Sequence, residues 1–183
     1  MIRRGSRCVA ALGDRDGVAM VEFALTLPVM LILYLGGVQL QDGIACNRKV
    51  TIATRAAGDL ISQNTTGTIS ASEVDDDLQL ATQVLLPYAA SAATIRVTEI
   101  AIANGQATVK WSRGLNTTRY NPGSRITVPS EMLAYSSSYL LFAEVTYAYT
   151  PPSSFGAIGP LTLKDSLYMI PRNTDEIDCT DCR

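Results

Sequence analysis

Residues 17–38 read GVAMVEFALTLPVMLILYLGGV, an apolar run interrupted by one carboxylate, Glu22. As a helix, Val18–Val38 extends about 31 Å at ~1.5 Å per residue, which matches a hydrocarbon core of roughly 30 Å. A charged group deep in a bilayer costs roughly 2.5–3.5 kcal/mol, so Glu22 needs a reason to be there. Pro28 removes one backbone donor, a defect that membrane helices tolerate, often as a bend. A secretory signal peptide is the competing reading. The run is longer than an ordinary signal core of roughly 7–15 residues, and Gly36-Gly37 lacks the small-x-small pattern of a cleavage site. Arg3, Arg4, Arg7 and Arg15 precede the span, which favours a cytoplasmic N-terminus. Arg48, Lys49 and Arg55 follow it and weaken that vote.

The chain has 183 residues, enough for a membrane anchor and one packed domain. Of its 15 Lys/Arg and 17 Asp/Glu, residues 39–183 hold 11 and 14, so the main domain is mildly acidic. No basic face suited to nucleic acid is apparent. There are 0 histidines. Ser-His and Cys-His catalysis and imidazole metal sites are therefore excluded, and the expectation is a protein that is not an enzyme.

Beyond the apolar run the helical period persists. Cys46, Val50, Ala53, Ala57 and Leu60 share one face, which predicts a single long helix from about Val18 to Ser62, apolar all round and then amphipathic. Asn64–Thr68 reads as a polar loop. Ser72-Glu73-Val74-Asp75 resembles a capping box, and Val74, Leu78, Ala81 and Leu85 mark a second helix ending near Pro87. The three aspartates Asp75–Asp77 read as a solvated helix start favoured by the dipole. From Ile95 the period becomes that of strands. Ile95–Ala103 and Ala107–Ser112 flank Asn104-Gly105, a type I′ hairpin signal. Arg125–Val128 is a weak strand candidate and Leu140–Thr150 a strong one. Pro151-Pro152 and a glycine-rich loop, Ser153–Pro160, precede a last strand near Ser166–Ile170. Helices first and antiparallel strands later predict an α+β fold, its sheet packed on the C-terminal part of the long helix. Asn64-Thr65-Thr66 and Asn116-Thr117-Thr118 match a glycosylation pattern that short polar loops produce by chance, and receive no role.

A glycine, four residues and a glutamate at the head of a membrane helix resemble the processing site of type IV pilin-like proteins. The longer string Gly17-x-x-x-x-Glu22-Phe23-Ala24-Leu25-x-Leu27-Pro28 resembles the TadE/TadG-like family of the tight-adherence (Tad) pilus. Arg48-Lys49-Val50-Thr51, Arg55-Ala56-Ala57-Gly58-Asp59-Leu60, Pro87-Tyr88, Trp111-Ser112, Glu144-Val145-x-Tyr147-x-Tyr149-x-Pro151 and Pro171-Arg172 extend it in the expected order. The chain has no room for the von Willebrand-like domain of longer TadG proteins, so the short TadE-like form fits better.

The resemblance implies a leader over 1–17, a transmembrane helix over 18–38 and a periplasmic pilin-like domain over 39–183. It implies a single-pass protein of the bacterial inner membrane that acts as a minor pilin or pseudopilin in pilus assembly and adhesion. A prepilin peptidase would cut between Gly17 and Val18, and Glu22 with Phe23 would dock subunits. The implied partners are membrane lipid, that peptidase, other pilus subunits and the Tad secretion machinery. Neither a small-molecule substrate nor a cofactor is expected. The alternative is a stably anchored periplasmic binding or scaffold domain that enters no fibre.

Three cysteines lie beyond the span, Cys46, Cys179 and Cys182, while Cys8 belongs to the leader. The C-x-x-C at Cys179 lies in an acidic tail, which raises thiol pKa values and argues against redox catalysis. A structural disulfide suits an oxidising periplasm. A bridge from Cys46 to the tail closes a long loop and is worth roughly 4–5 kcal/mol on the chain-entropy model, so it is favoured over the local Cys179–Cys182 pair. Two cysteines without histidine do not complete a zinc site.

Overall fold

The protein is described by a computed structural model over residues 15–134, 138–151 and 160–182. Cys8, Arg3, Arg4, Arg7 and most of the Ser153–Pro160 loop lie outside the described residues.

Helix α1, Arg15–Ser62, is one uninterrupted 48-residue helix that runs through Pro28. The chain divides into two units within it, at Gly43. In the first, Gly17–Tyr34 is exposed on every side. A helix that is apolar and exposed all round has no protein core to bury itself in, and its length and hydropathy suffice to cross a membrane.

The second unit begins with the amphipathic part of α1. Cys46, Val50, Ala53, Ala57 and Ile61 are fully buried. Leu60, expected on this stripe, is 36% exposed, because the 3.6-residue period carries the buried line to Ile61 instead. After a turn, helix α2 spans Ala71–Gln83. Its N-cap is Ser70, which closes a reciprocal capping box with Glu73, two residues earlier than the sequence pattern suggests. Asn64 builds the preceding turn, its side-chain oxygen accepting from the Thr66 and Gly67 N–H groups.

The sheet comprises β1 (Ala93–Ala103), β2 (Gln106–Leu115), β3 (Ser138–Tyr149) and β4 (Leu161–Met169), in antiparallel order β2-β1-β3-β4. Asn104 and Gly105 both have positive φ, as a type I′ turn requires. Ile95, Val97, Leu141, Ala143 and Val145 join the buried stripe of α1 and the α2 residues Val74 and Leu78 in one core. A smaller cluster, including Ile100, Ile102, Leu140 and Phe142, occupies the other face. A bulge leaves Lys110 out of register, with Glu99 opposite Trp111 and Ile100 opposite Val109. That extra residue lets Trp111 share the helix-facing side with Glu99 while Val109 shares the opposite side with Ile100.

The third strand expected at Arg125–Val128 is not formed. A single bridge, Thr108 to Arg125, and bonds from Val109 N–H and Ile126 N–H hold this segment against the edge of β2. Val128 and Ile126 then turn into the second cluster, beside helix α3, Ser130–Leu133. The last strand begins at Leu161, five residues before the expected start.

At Gly58, α1 lies tight against β3 and β4. A Cβ there would lie 2.6 Å from Met169 Sδ and 3.5 Å from Ala143 Cβ. Gly58→Val is therefore expected to cost about 1–3 kcal/mol through overpacking, read as a lowered thermal midpoint. An unchanged midpoint would show that Met169 can move aside freely.

Candidate functional site

Two features carry chemistry that core packing does not explain. The first is the start of α1. Gly17, Val18, Glu22 and Phe23 are all exposed, and Phe23 retains 60% of its surface. A Cβ on Gly17 would meet nothing within 4 Å, so packing does not call for glycine at this position. Glu22 lies one turn from Val18 on the same face. Among the described residues it has no ion-pair partner. Pro28 leaves the Ala24 carbonyl without its usual helical donor, and Thr26 Oγ1 donates to the Phe23 carbonyl nearby at 3.2 Å.

The second feature is a C-terminal strap, Arg172–Cys182, anchored by a buried carboxylate. Glu99 is completely buried in β1. Its Oε2 accepts from Trp111 Nε1 at 2.9 Å, and its Oε1 accepts from the Ile177 N–H at 2.8 Å. Trp111 Nε1 also donates to the Ile177 carbonyl at 2.7 Å. Further along, Asp178 exchanges backbone bonds with Gly67 and Ile69, and the Ala71 N–H at the head of α2 donates to Asp181 Oδ1 at 3.0 Å. Arg172 donates its backbone N–H to the Ser62 carbonyl and pairs with Asp59. The strap thus ties the end of α1, the following turn and the start of α2 to the sheet. Lys110, placed by the bulge, pairs with Glu176 of the strap.

Cys179 and Cys182 form a disulfide, with Cα atoms 5.3 Å apart. The expected long bridge from Cys46 is not made, and Cys46 stays a buried thiol. The strap pairs at Thr68, beyond the end of α1, whereas Cys46 lies 16 residues before Ser62. That is roughly 24 Å of helix, far beyond the ~7 Å Cα limit for a bridge. Cys179, Asp181 and Cys182 place potential ligand atoms within 4.8 Å, but the bridge consumes both sulfurs and Asp181 already serves α2. Asp75 is not simply solvated either, since it holds Arg113 of β2.

No motif or spacing in the sequence singles out Glu99. The one signal is a lone acid among β-branched residues, with Trp111 across the hairpin. Burial raises its pKa to about 7, against the opposing pull of the Ile177 N–H, Lys110 and Trp111. With the folded pKa above the unfolded value of 4.5, the folded state binds the extra proton between these limits. Stability should therefore fall as pH rises from about 4.5 to about 7, by an amount on the order of 3 kcal/mol. Glu99→Gln, which can keep an oxygen on the Ile177 N–H, should flatten that dependence in urea titrations across the window. An equally steep profile in Glu99→Gln would assign the titration to another group.

No curated protein and no solved structure matches the chain. Residues 17–59 do match the family described as TadE-like protein, from the glycine that opens the apolar run to the aspartate that holds Arg172. Residues 17–59, 43 of the 183, thus form a TadE-like segment across most of α1.

Proposed function

We propose that this chain is a minor pilin or pseudopilin of a Tad-type pilus, acting in assembly and surface adhesion without catalysing a reaction. Its N-terminus lies in the cytoplasm, α1 crosses the inner membrane once, and the sheet domain lies in the periplasm. A prepilin peptidase removes the leader between Gly17 and Val18. The mature chain then joins other pilus subunits through Glu22 and Phe23.

One observation carries this reading: Glu22 is an exposed carboxylate on a helix that is apolar and exposed all round. In lipid its charge is costly unless a cation offsets it. Cleavage after Gly17 creates such a cation, the Val18 amine. Pairing within one chain would merely ease insertion, whereas pairing between chains registers an incoming subunit against its neighbour. Gly17 supports the same reading, because a protease that must reach the backbone benefits from a residue without a side chain. A stably anchored scaffold domain needs neither residue.

N-terminal sequencing of the membrane form should read Val-Ala-Met-Val-Glu. Glu22→Ala should insert and be cleaved normally yet be missing from sheared pili. An uncut N-terminus with function retained in Gly17→Arg would leave only the anchored scaffold. Normal incorporation of Glu22→Ala would remove this carboxylate from docking.

A further inference from the structure

Past the membrane segment, α1 keeps a second face that the sheet does not cover. Ile44, Arg48, Ile52 and Arg55 recur at intervals of four, four and three residues and form one outward ridge. Both isoleucines are 49% exposed, and among the described residues neither arginine has an ion-pair partner. Apolar anchors interleaved with cations give this face the chemistry that an acidic groove accepts.

The same domain has such a groove. The end of α1 and the start of α2 border an open depression of about 320 Å³, lined by Leu60, Gln63, Glu73, Asp76 and Asp77 among others. Leu80, 58% exposed, continues the α2 wall one turn on. Asp76 and Asp77, unlike Asp75, have no cationic partner among the described residues. Burial, and after it the neighbouring charges of Glu73 and Asp76, raise the pKa of Asp77.

We infer that the Ile44–Arg55 ridge of one copy docks into the Leu60–Asp77 groove of a second copy of this chain. The two patches differ, so the contact is heterologous and each copy keeps one free end of each kind. Ridge and groove are centred about 12 residues apart along α1, or roughly 18 Å. Two copies at equal depth in a membrane therefore cannot make the contact, whereas copies offset along their helix axes can. This deepens the subunit reading and rests on it, since it names the surface by which one such subunit holds the next. The arginines give the contact its register and its sensitivity to salt.

The test is co-purification of two differently tagged full-length copies from detergent extracts at low salt. Arg48→Glu/Arg55→Glu gives an acidic ridge beside the native groove. Asp76→Lys/Asp77→Lys gives a basic groove beside the native ridge. Each variant alone should lose at least tenfold of the wild-type association, while retaining the circular dichroism and protease resistance of the folded domain. The two variants mixed should recover it, because each then meets its opposite charge. Wild-type copies that do not associate, variants that associate alone as well as wild type, or a mixture that stays apart would each overturn the inference. Presence of the wild-type chain in sheared pili is scored separately, so failure of this surface is distinguishable from failure of the subunit reading.

Discussion

Burial of one face of α1 against the sheet is the contact on which the rest of this protein depends. The residues that make it, Cys46, Val50, Ala53, Ala57 and Ile61, are mostly small, so the helix lies close to β3 and β4. Fully burying a side chain the size of Val50 or Ile61 contributes roughly 1.5–3 kcal/mol, and the alanines add approach more than area. The same helix supplies the apolar segment that begins at Gly17. One element therefore carries both an apolar segment long enough to cross a membrane and one wall of the domain core.

The strap reinforces this arrangement where the helix ends. A helix terminus leaves carbonyls without partners, and α1 ends at Ser62 with its carbonyl bonded to Arg172 N–H. The opening N–H groups of α2 are served by Ser70 and by Asp181, 110 residues away in sequence. Glu99 is the counterpart inside the sheet: a buried acid retained because both its oxygens hold fixed donors, one of them on the strap. Several short strings far apart along the chain are joined in space. Asp59 meets Arg172, Tyr88 packs edge-on against Tyr147, and Trp111 meets the strap at Ile177.

The elements with strong period are legible in the sequence alone. The long helix, the second helix, the Asn104-Gly105 hairpin and the strand ending at Tyr149 all follow from apolar spacing and turn chemistry. What is not legible depends on contacts distant in sequence. The Lys110 bulge has no local signature, and neither has the role of Glu99. Arg125–Val128 has the composition of a strand, but it is short and bounded by Pro129, and a single bridge holds it. Loop entropy favours the wrong disulfide, because it carries no information on where the strap docks, which is beyond Ser62. The features at the start of α1 are visible because they are violations: a charge in an apolar run and a glycine in a helix. Residues that break a local rule stand out in sequence, whereas those that obey one, like Arg48 and Arg55, need the fold to show which face they occupy.

Hydrogen exchange of the full-length chain in lipid nanodiscs tests the central claim most directly. If α1 is an integral part of the domain core, amides of residues 50–61 should exchange as slowly as those in the middle of β1 and β3, and open with them in one cooperative step. Fast exchange of 50–61 while the sheet stays protected would show that the helix merely rests on a domain that folds without it.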